Sequence, residues 1–560
     1  MNNEKYIPFA PIRMEKRRWP DRQITKAPIW CSVDLRDGNQ ALVDPMNLQE
    51  KLEYFHTLLD IGVKEIEIGF PSASETEYEI CRELIDGGHI PDDVTIQVLV
   101  QARPHLIART FEAIKGAKHV IFHFYNSTST LQRKVVFQTD VEGVKKIAVE
   151  AATLIAELSR DAIAAGMDLR YEYSPESFMG TEMDAAVEIC QAVLEALGAT
   201  PERKVILNLP TTVENCMPNY FADEIEYFID RLPGRESAII SLHPHNDRGC
   251  GVATAEMGLL AGADRIEATL FGNGERTGNV DMVTLALNMH TQGVDPGLDF
   301  SSINKIREMY ERTTKMKVGE RQPYAGELVF TAFSGSHQDA INKGTVYMRE
   351  SGTDKWEIPY LPIDPADVGR QYEPIIRINS QSGKGGAAFV MQQSFGFDLP
   401  KAMHPEFGRI VQAETDRVGK EIEPQRIYDL FKENYIDATA PYQLVRHAFA
   451  ESTDESGHSH VTFKGTLRHQ DTVFEVHGAG NGPIDAFFNA IHGQKMDRFT
   501  FVDYKEHAIS VGSDSMAVAY IHLRDRAGKD VFGVGISHNI NLAPLRGILS
   551  AINRAFRSPR

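Results

Sequence analysis

The chain has 560 residues, 42% of them hydrophobic and 24% charged, with a net charge of −19. This is globular composition, and at roughly 150 residues per domain it predicts three or four domains. The negative charge excludes polyanions as general partners, so neither nucleic acid nor an anionic membrane surface is expected.

The five cysteines are dispersed and none forms a C-x-x-C pair. The N-terminal stretch is basic and lacks an apolar core, and no apolar run reaches the roughly 18 residues of a membrane span. Together these features predict a cytoplasmic protein without a disulfide framework.

Residues 1–27 read as a basic arm carrying Arg17, Arg18 and Arg22. From 28 to 305, short apolar runs alternate with helical stretches. The runs are IWCSVDL, EIEIGF, TIQVLVQ, HVIFHFY, DLRYEY, KVILNLP, AIISLHPH and RIEATLFG. They are rich in Val, Ile and aromatics and have strand length. The stretches between them, such as LQEKLEYFHTLLDIG, repeat apolar residues at helical spacing. Strand–helix alternation repeated in this way predicts an α/β fold, a closed (β/α)8 TIM barrel. The alternative, an open doubly wound sheet, usually carries a Gly-rich turn after its first strand. Here that turn reads Leu35-Arg36-Asp37-Gly38-Asn39-Gln40.

Residues 306–435 read as a small, mostly helical connector, rich in Gly, Ser and Pro between 332 and 395. Residues 436–560 read as an α+β domain whose strands are HVTFKGTLRH, DTVFEVHGA, RFTFVDYKEHA, SMAVAYIHLRD and DVFGVGIS. Val476-His-Gly-Ala-Gly-Asn-Gly leads into PIDAFFNAI, and Val531-Phe-Gly-Val-Gly leads into LAPLRGILSAI. The repeated strand, G-x-G, helix order predicts an internal duplication.

Barrel active sites lie at the C-terminal ends of the strands. His243 and His245 form an H-x-H pair on the seventh strand, and alternation turns both side chains the same way. Asp37 follows the first strand and Asn279 the eighth, and these strands are neighbours in a closed barrel. The four converge as a mixed N/O donor set without thiolate, suited to Mg²⁺, Mn²⁺ or Zn²⁺. Such an ion accepts a bidentate 2-oxo acid. Arg36 offers a cation to a developing alkoxide or a salt bridge within the mouth. Glu176 and Glu275 are acid/base or supporting candidates. Thr211 and Thr212 suit either a substrate carboxylate or a helix cap. Gly480, Asn481 and Gly482 stand before a helix, where backbone N–H groups can receive a carboxylate or form only a tight turn.

Three segments carry a resemblance: Ser32-Val-Asp-Leu-Arg36-Asp37-Gly38-Asn39-Gln40, His243-x-His245-Asn246-Asp247, and Gly272-Asn-Gly-Glu275-Arg-Thr-Gly-Asn279. The chain resembles the Claisen-condensing barrel enzymes related to 3-hydroxy-3-methylglutaryl-CoA lyase. SGSHQDA (334–340) and the G-x-G-N-G-P run (478–483) extend the resemblance to that family's long, leucine-regulated branch. It implies condensation of acetyl-CoA with 2-oxoisovalerate, the first committed step of leucine synthesis, in a homodimer inhibited by leucine. Members that take pyruvate or 2-oxoglutarate are the alternatives, and the apolar Leu99 favours a branched aliphatic substrate.

The same resemblance implies divalent-metal ligation by Asp37, His243, His245 and Asn279, with Mg²⁺ first. It implies keto polarisation by Arg36 and proton chemistry at the acetyl methyl group by His337, Tyr372 and Glu176. Leu99, His123, Ser174 and Asn208 would line the 2-oxo acid side-chain pocket. Thr212 would meet the substrate carboxylate, and Gly480, Asn481 and Gly482 would bind leucine. Arg377 and Lys384 are the expected cations for the CoA phosphates.

Overall fold

The computed structural model describes residues 2–332, 334–372, 386–418, 422–436, 438–453, 459–492, 498–509 and 515–556. Arg377 and Lys384 lie outside the described residues. The chain divides into two compact units, residues 1–330 with 363–371, and residues 331–362 with 372–560.

In the first unit, eight parallel strands close into a barrel in sequence order, with β1 pairing to both β2 and β8. The strands are β1 (Ile29–Ser32), β2 (Glu65–Gly69), β3 (Thr95–Gln101), β4 (His119–Ser127), β5 (Asp168–Glu176), β6 (Val205–Thr211), β7 (Ala238–Pro244) and β8 (Arg265–Ala268). Each is followed by its helix: α1 (Leu48–Ile61), α2 (Glu75–Asp86), α3 (Pro104–Ala113), α4 (Val141–Ala164), α5 (Met183–Leu197), α6 (Pro218–Arg231), α7 (Gly251–Ala261) and α8 (Met282–Thr291). A further helix, α9, spans Ile303–Thr314. This is the predicted (β/α)8 barrel.

The local reasons are ordinary. Asn47 and Glu50 form a reciprocal capping box at the start of α1, and Gly62 ends that helix in the left-handed region. Asp140 caps α4 through the Gly143 amide. The strands are buried on both faces, as a covered parallel sheet requires. The barrel interior nevertheless holds charge. Arg265 is fully buried and donates to Glu65, Gln97, Ser241 and Glu267.

The basic arm has a structural partner. Arg17 makes a two-pronged contact with Asp223 on α6, with both nitrogens at 2.8 Å, and Trp19 Nε1 donates to the same carboxylate at 2.9 Å. Arg18 reaches Glu226 and Asp230 on the same helix. Asp223 and Glu226 are buried, so the arm supplies their counter-charges. A terminal segment stays ordered only when tied down in this way. Asp223→Ala is therefore expected to release the arm. Limited trypsin digestion should cut the variant between residues 13 and 22 before any barrel fragment appears, and parent-like resistance would contradict the clamp.

The second unit opens with α10 (Gly335–Ser351) and continues with α11 (Gly386–Phe395), α12 (His404–Val418) and α13 (Pro424–Phe431). Two antiparallel three-stranded sheets follow among the described residues. One contains β9 (Tyr442–Thr453), β10 (Ser459–His469) and β11 (Thr472–Gly480). The other contains β12 (Phe499–Ala508), β13 (Ala517–Asp525) and β14 (Asp530–Ser537). Helix α14 (Pro483–Ile491) follows the first sheet and α15 (Leu542–Phe556) the second, so the β-β-β-α unit occurs twice. The predicted duplication is thus a whole repeat.

The expected strands omitted β9. Only Tyr442, Leu444, His447 and Phe449 are buried or partly buried along it and the rest is exposed, so no continuous apolar run marks it. The two repeats share one core, in which Phe487, Ala490 and Ile491 pack with Leu545, Ile548 and Ile552. A second core packs α11, α12 and α13 with Val518, Tyr520, Phe532 and Val534 of β13 and β14. Among the described residues, no helix is long and apolar enough to cross a membrane.

Candidate active site

The C-terminal mouth of the barrel encloses a cavity of about 460 Å³. Arg36, Asp37, Leu99, His123, Ser174, Glu176, Asn208, Thr212, His243 and His245 line it, with Gln40, Phe70, Tyr125, Pro210, Glu275 and Arg276. Eleven predicted residues, Glu275 among them, therefore meet in one place, drawn from the five strands β3 to β7 and from the turns after β1, β6, β7 and β8.

Two loops are locked together to build the ligand end. Asp34, in the helical turn Asp34–Gly38, accepts from Tyr54 at 2.7 Å, Ser32 at 2.8 Å and the Leu270 amide at 3.0 Å. Burial pushes its carboxyl up to about 7, although these hydrogen bonds pull the other way. Asn273 donates to the Gly38 carbonyl at 3.0 Å. Gly278 has φ +94°, and a Cβ there would lie 1.8 Å from the Gly272 carbonyl oxygen. Only glycine lets this loop fold back and return Asn279 to the mouth.

Asp37 is the meeting point. Its Oδ2 lies 2.7 Å from Asn279 Nδ2, 3.1 Å from His243 Nε2 and 3.8 Å from His245 Nε2. Its Oδ1 accepts from Arg36 at 2.9 Å. Burial alone would raise the Asp37 carboxyl, but the adjacent Arg36 cation overrides this and holds it well below the ordinary range. Burial likewise opposes charge on His243, yet hydrogen bonds to Asp37 and Glu267 raise it to about 9. His245 is lowered to about 4, first by burial and then by the charge of His243.

These residues fit a divalent ion. Donor atoms of Asp37, His243 and His245 lie within 4.8 Å of one another, and all three residues are buried. His245 Nδ1 and Asn279 Oδ1 are buried without a hydrogen-bond partner. The nitrogen and oxygen of an amide exchange by a half-turn, so either Asn279 atom can face Asp37.

The rest of the cavity is a hydrogen-bonded relay. Asn208 Nδ2 donates to Ser174 Oγ at 3.1 Å, His123 Nε2 lies 2.7 Å from that Oγ, and His123 Nδ1 lies 2.7 Å from Glu67. Arg36 Nε binds the other oxygen of Glu67. Leu99 sits beside this relay as a nearly buried apolar wall. Glu176 accepts from Ser127, and Glu275 from Gln40 at 3.2 Å.

Thr212 Oγ1 accepts from the Ser177 amide at 2.9 Å, and Thr211 Oγ1 from the His245 amide at 2.9 Å. Neither caps the next helix. That role falls to Met217, without a side-chain bond, which corrects the capping reading. Arg36 forms the salt bridge that was one of its two expected roles, and it stays in the cavity wall.

Glu67, Gln97, Glu267 and Tyr125 were not anticipated. For the first three the available signal was a charged or amide residue inside an apolar strand, as in EIEIG, TIQVLVQ and RIEA.

His337 and Tyr372 belong to the second unit. His337 is exposed on α10 and stacks on Tyr360, with ring centroids 4.0 Å apart. Tyr372 is half-buried, and burial raises its hydroxyl above the ordinary tyrosine value. In the same unit, the Asn481 amide donates to Asp485 at 3.0 Å, so one expected anion-facing N–H is already engaged. At Gly480 a Cβ would lie 2.6 Å from the Ala486 nitrogen, whereas Gly482 has open space around it.

Comparison with known proteins agrees along the chain. Residues 27–309 match the HMGL-like family. Residues 327–392 match the alpha-isopropylmalate synthase post-catalytic domain-like family, and 421–556 match the LeuA allosteric (dimerisation) domain. The chain is 54% identical over 554 residues to a 2-isopropylmalate synthase of Clostridium acetobutylicum, covering 98% of this chain and 99% of that protein. It is also 54% identical over 551 residues to one of Brucella suis, covering 98% of each. Among solved structures, a hydroxymethylglutaryl-CoA lyase of Pseudomonas aeruginosa aligns with TM-score 0.44 and 16% identity, over 53% of this chain and 96% of that one.

Proposed function

The chain belongs to the 2-isopropylmalate synthase family, and from that premise we propose how its barrel cavity is used. The reaction is a Claisen-type condensation of leucine biosynthesis. The acetyl methyl carbon of acetyl-CoA bonds to the keto carbon of 2-oxoisovalerate, and water then releases CoA to leave 2-isopropylmalate. The observation that carries the site assignment is the convergence of Asp37, His243, His245 and Asn279 beside Arg36 in one buried mouth.

Asp37, His243, His245 and Asn279 would hold a divalent ion, Mg²⁺ ahead of Mn²⁺ or Zn²⁺. When bound, it supplies Lewis-acid polarisation of the keto group. Arg36 offers its guanidinium to the negative oxygen that develops on the same carbon. Leu99, His123, Ser174 and Asn208 receive the branched side chain, and Thr212 orients the carboxylate. His337, Tyr372 and Glu176 are assigned to the methyl proton on sequence resemblance, in a cytoplasmic homodimer. Leucine is the inhibitor of the C-terminal domain, with Gly480, Asn481 and Gly482 as its contacts. Inhibition then requires a coupling free energy between two sites.

CoA release, followed with a thiol reagent, is expected only when acetyl-CoA and a 2-oxo acid are both present. The kcat/KM for 2-oxoisovalerate should exceed that for pyruvate or 2-oxoglutarate by about tenfold or more, the usual yield of a matched apolar pocket. CoA release independent of the 2-oxo acid would overturn the reaction, and a preference for pyruvate or 2-oxoglutarate would overturn the substrate.

A further inference from the structure

Glu267 occupies a position that the condensation mechanism leaves without a role. It stands on β8 two residues after Arg265, and strand alternation sends both side chains into the barrel. The side chain is wholly buried and is saturated with donors from four strands. Oε2 lies 2.7 Å from His243 Nδ1 and accepts from Asn208 Nδ2 at 2.9 Å. Oε1 accepts from Gln97 Nε2 at 2.7 Å and from Arg265 Nη1 at 3.1 Å.

One carboxylate oxygen therefore holds two residues with different tasks. His243 belongs to the metal-binding set. Asn208 lines the 2-oxo acid pocket and passes the contact on to Ser174 and His123. A hydrogen bond at His243 Nδ1 fixes the rotation of the ring and turns Nε2 toward Asp37. The same oxygen holds the Asn208 amide nitrogen, which sets the rotation of that side chain. Arg265 supplies the counter-charge and is itself pinned by Glu65 at 2.7 Å and Ser241 at 2.8 Å.

We propose that Glu267 is a positioning residue for both halves of the site, setting the His243 ring for metal binding and the Asn208 amide for 2-oxo acid binding through one buried carboxylate. This rests on the metal reading given above. Its consequence is that a single substitution remote from solvent weakens metal and substrate binding together.

The test is Glu267→Gln in the full-length protein, with Mn²⁺ alone as the probe. Binding is read by equilibrium dialysis with electron paramagnetic resonance of the free ion, and KM for 2-oxoisovalerate is measured in parallel. Loss of a carboxylate behind a ligating histidine costs roughly 10–100-fold in metal affinity. That loss is expected here, with a rise in KM. Glu65→Gln is the control for a generic structural effect. It removes a carboxylate from the same Arg265 and touches neither His243 nor Asn208, so its Mn²⁺ affinity should stay near the parent value. Should Glu267→Gln fail to fold, Glu267→Asp keeps the charge, shortens the reach, and is expected to shift affinity and KM in the same directions.

Parent-like Mn²⁺ affinity or an unchanged KM in a folded Glu267 variant would overturn the inference. So would an equal loss of Mn²⁺ affinity in Glu65→Gln. A parent protein that binds no Mn²⁺ would overturn the metal reading, and this inference with it.

Discussion

Asp37→Ala is expected to lower 2-oxo-acid-dependent CoA release by at least about 10³-fold, with loss of Mn²⁺ binding in the same preparation. The magnitude follows from what one carboxylate does. Its Oδ2 faces Asn279 and His243, and its Oδ1 neutralises Arg36. Lewis-acid stabilisation of a developing oxyanion is worth several kcal/mol, and each ~1.4 kcal/mol is tenfold in rate. Because Asp37 belongs to a buried ion network, its removal also leaves the Arg36 charge with Glu67 alone, and breaking such a pair costs about 3–5 kcal/mol of stability. Thermal unfolding must therefore accompany the assay. Asp37→Asn keeps the side-chain shape and should be folded and nearly inactive. An Asp37→Asn enzyme that turns over like the parent would remove Asp37 from the mechanism.

What made Asp37 legible was position. The barrel follows from apolar runs separated by helical stretches, and a closed barrel makes the first and eighth strands neighbours. The H-x-H pair then needed only strand alternation to reach the same mouth, whereas Asn279 gets there through the loop after β8 that folds back at Gly278. Glu267 lacked such a rule. A lone glutamate in RIEA has no local partner, and its contact with Gln97 joins residues 170 apart in the chain. The Arg265–Glu65 contact spans 200 residues. Composition records that charge enters the barrel but not which charges meet.

The G-x-G segments were ambiguous for a different reason. Glycine before a helix suits an anion site, yet equally suits a helix lying directly on a strand. A Cβ at Gly478 would meet the Ala490 nitrogen at 2.4 Å, so close packing has a claim on the first repeat as well. Strand β9 carries no apolar run because most of it faces solvent. The second core also changes the natural test of regulation. A chain cut near residue 435 would strip Val518, Tyr520, Phe532 and Val534 from α11–α13, so loss of leucine response in that truncation would report exposed core as much as a missing site.

A point substitution in the second repeat asks the question more cleanly. Gly533 and Gly535 on β14 face α15. A Cβ at Gly535 would lie 1.9 Å from the Ala543 carbonyl oxygen and 2.5 Å from the Gly547 nitrogen. Both obstacles are backbone, so no rotamer change relieves them. Gly547 in turn leaves only 2.7 Å between its own Cβ position and Ile521 Cγ1. Gly535→Val must therefore lift α15 from the sheet and part Leu545, Ile548 and Ile552 from Ile521, Leu523 and Val531. Overpacking costs about 1–3 kcal/mol where side chains can yield, and a backbone obstacle puts this site at about 3 kcal/mol or more. The expected result is a lower denaturation midpoint for the second unit, with leucine inhibition weakened or lost. Gly482→Ala is the contrast, since nothing lies within 4 Å of its Cβ position, and its stability should stay within about 0.5 kcal/mol of the parent. If Gly535→Val unfolds at the parent's midpoint, helix and strand are not in the close contact that the glycines allow, and the duplicated G-x-G must be explained by ligand binding instead.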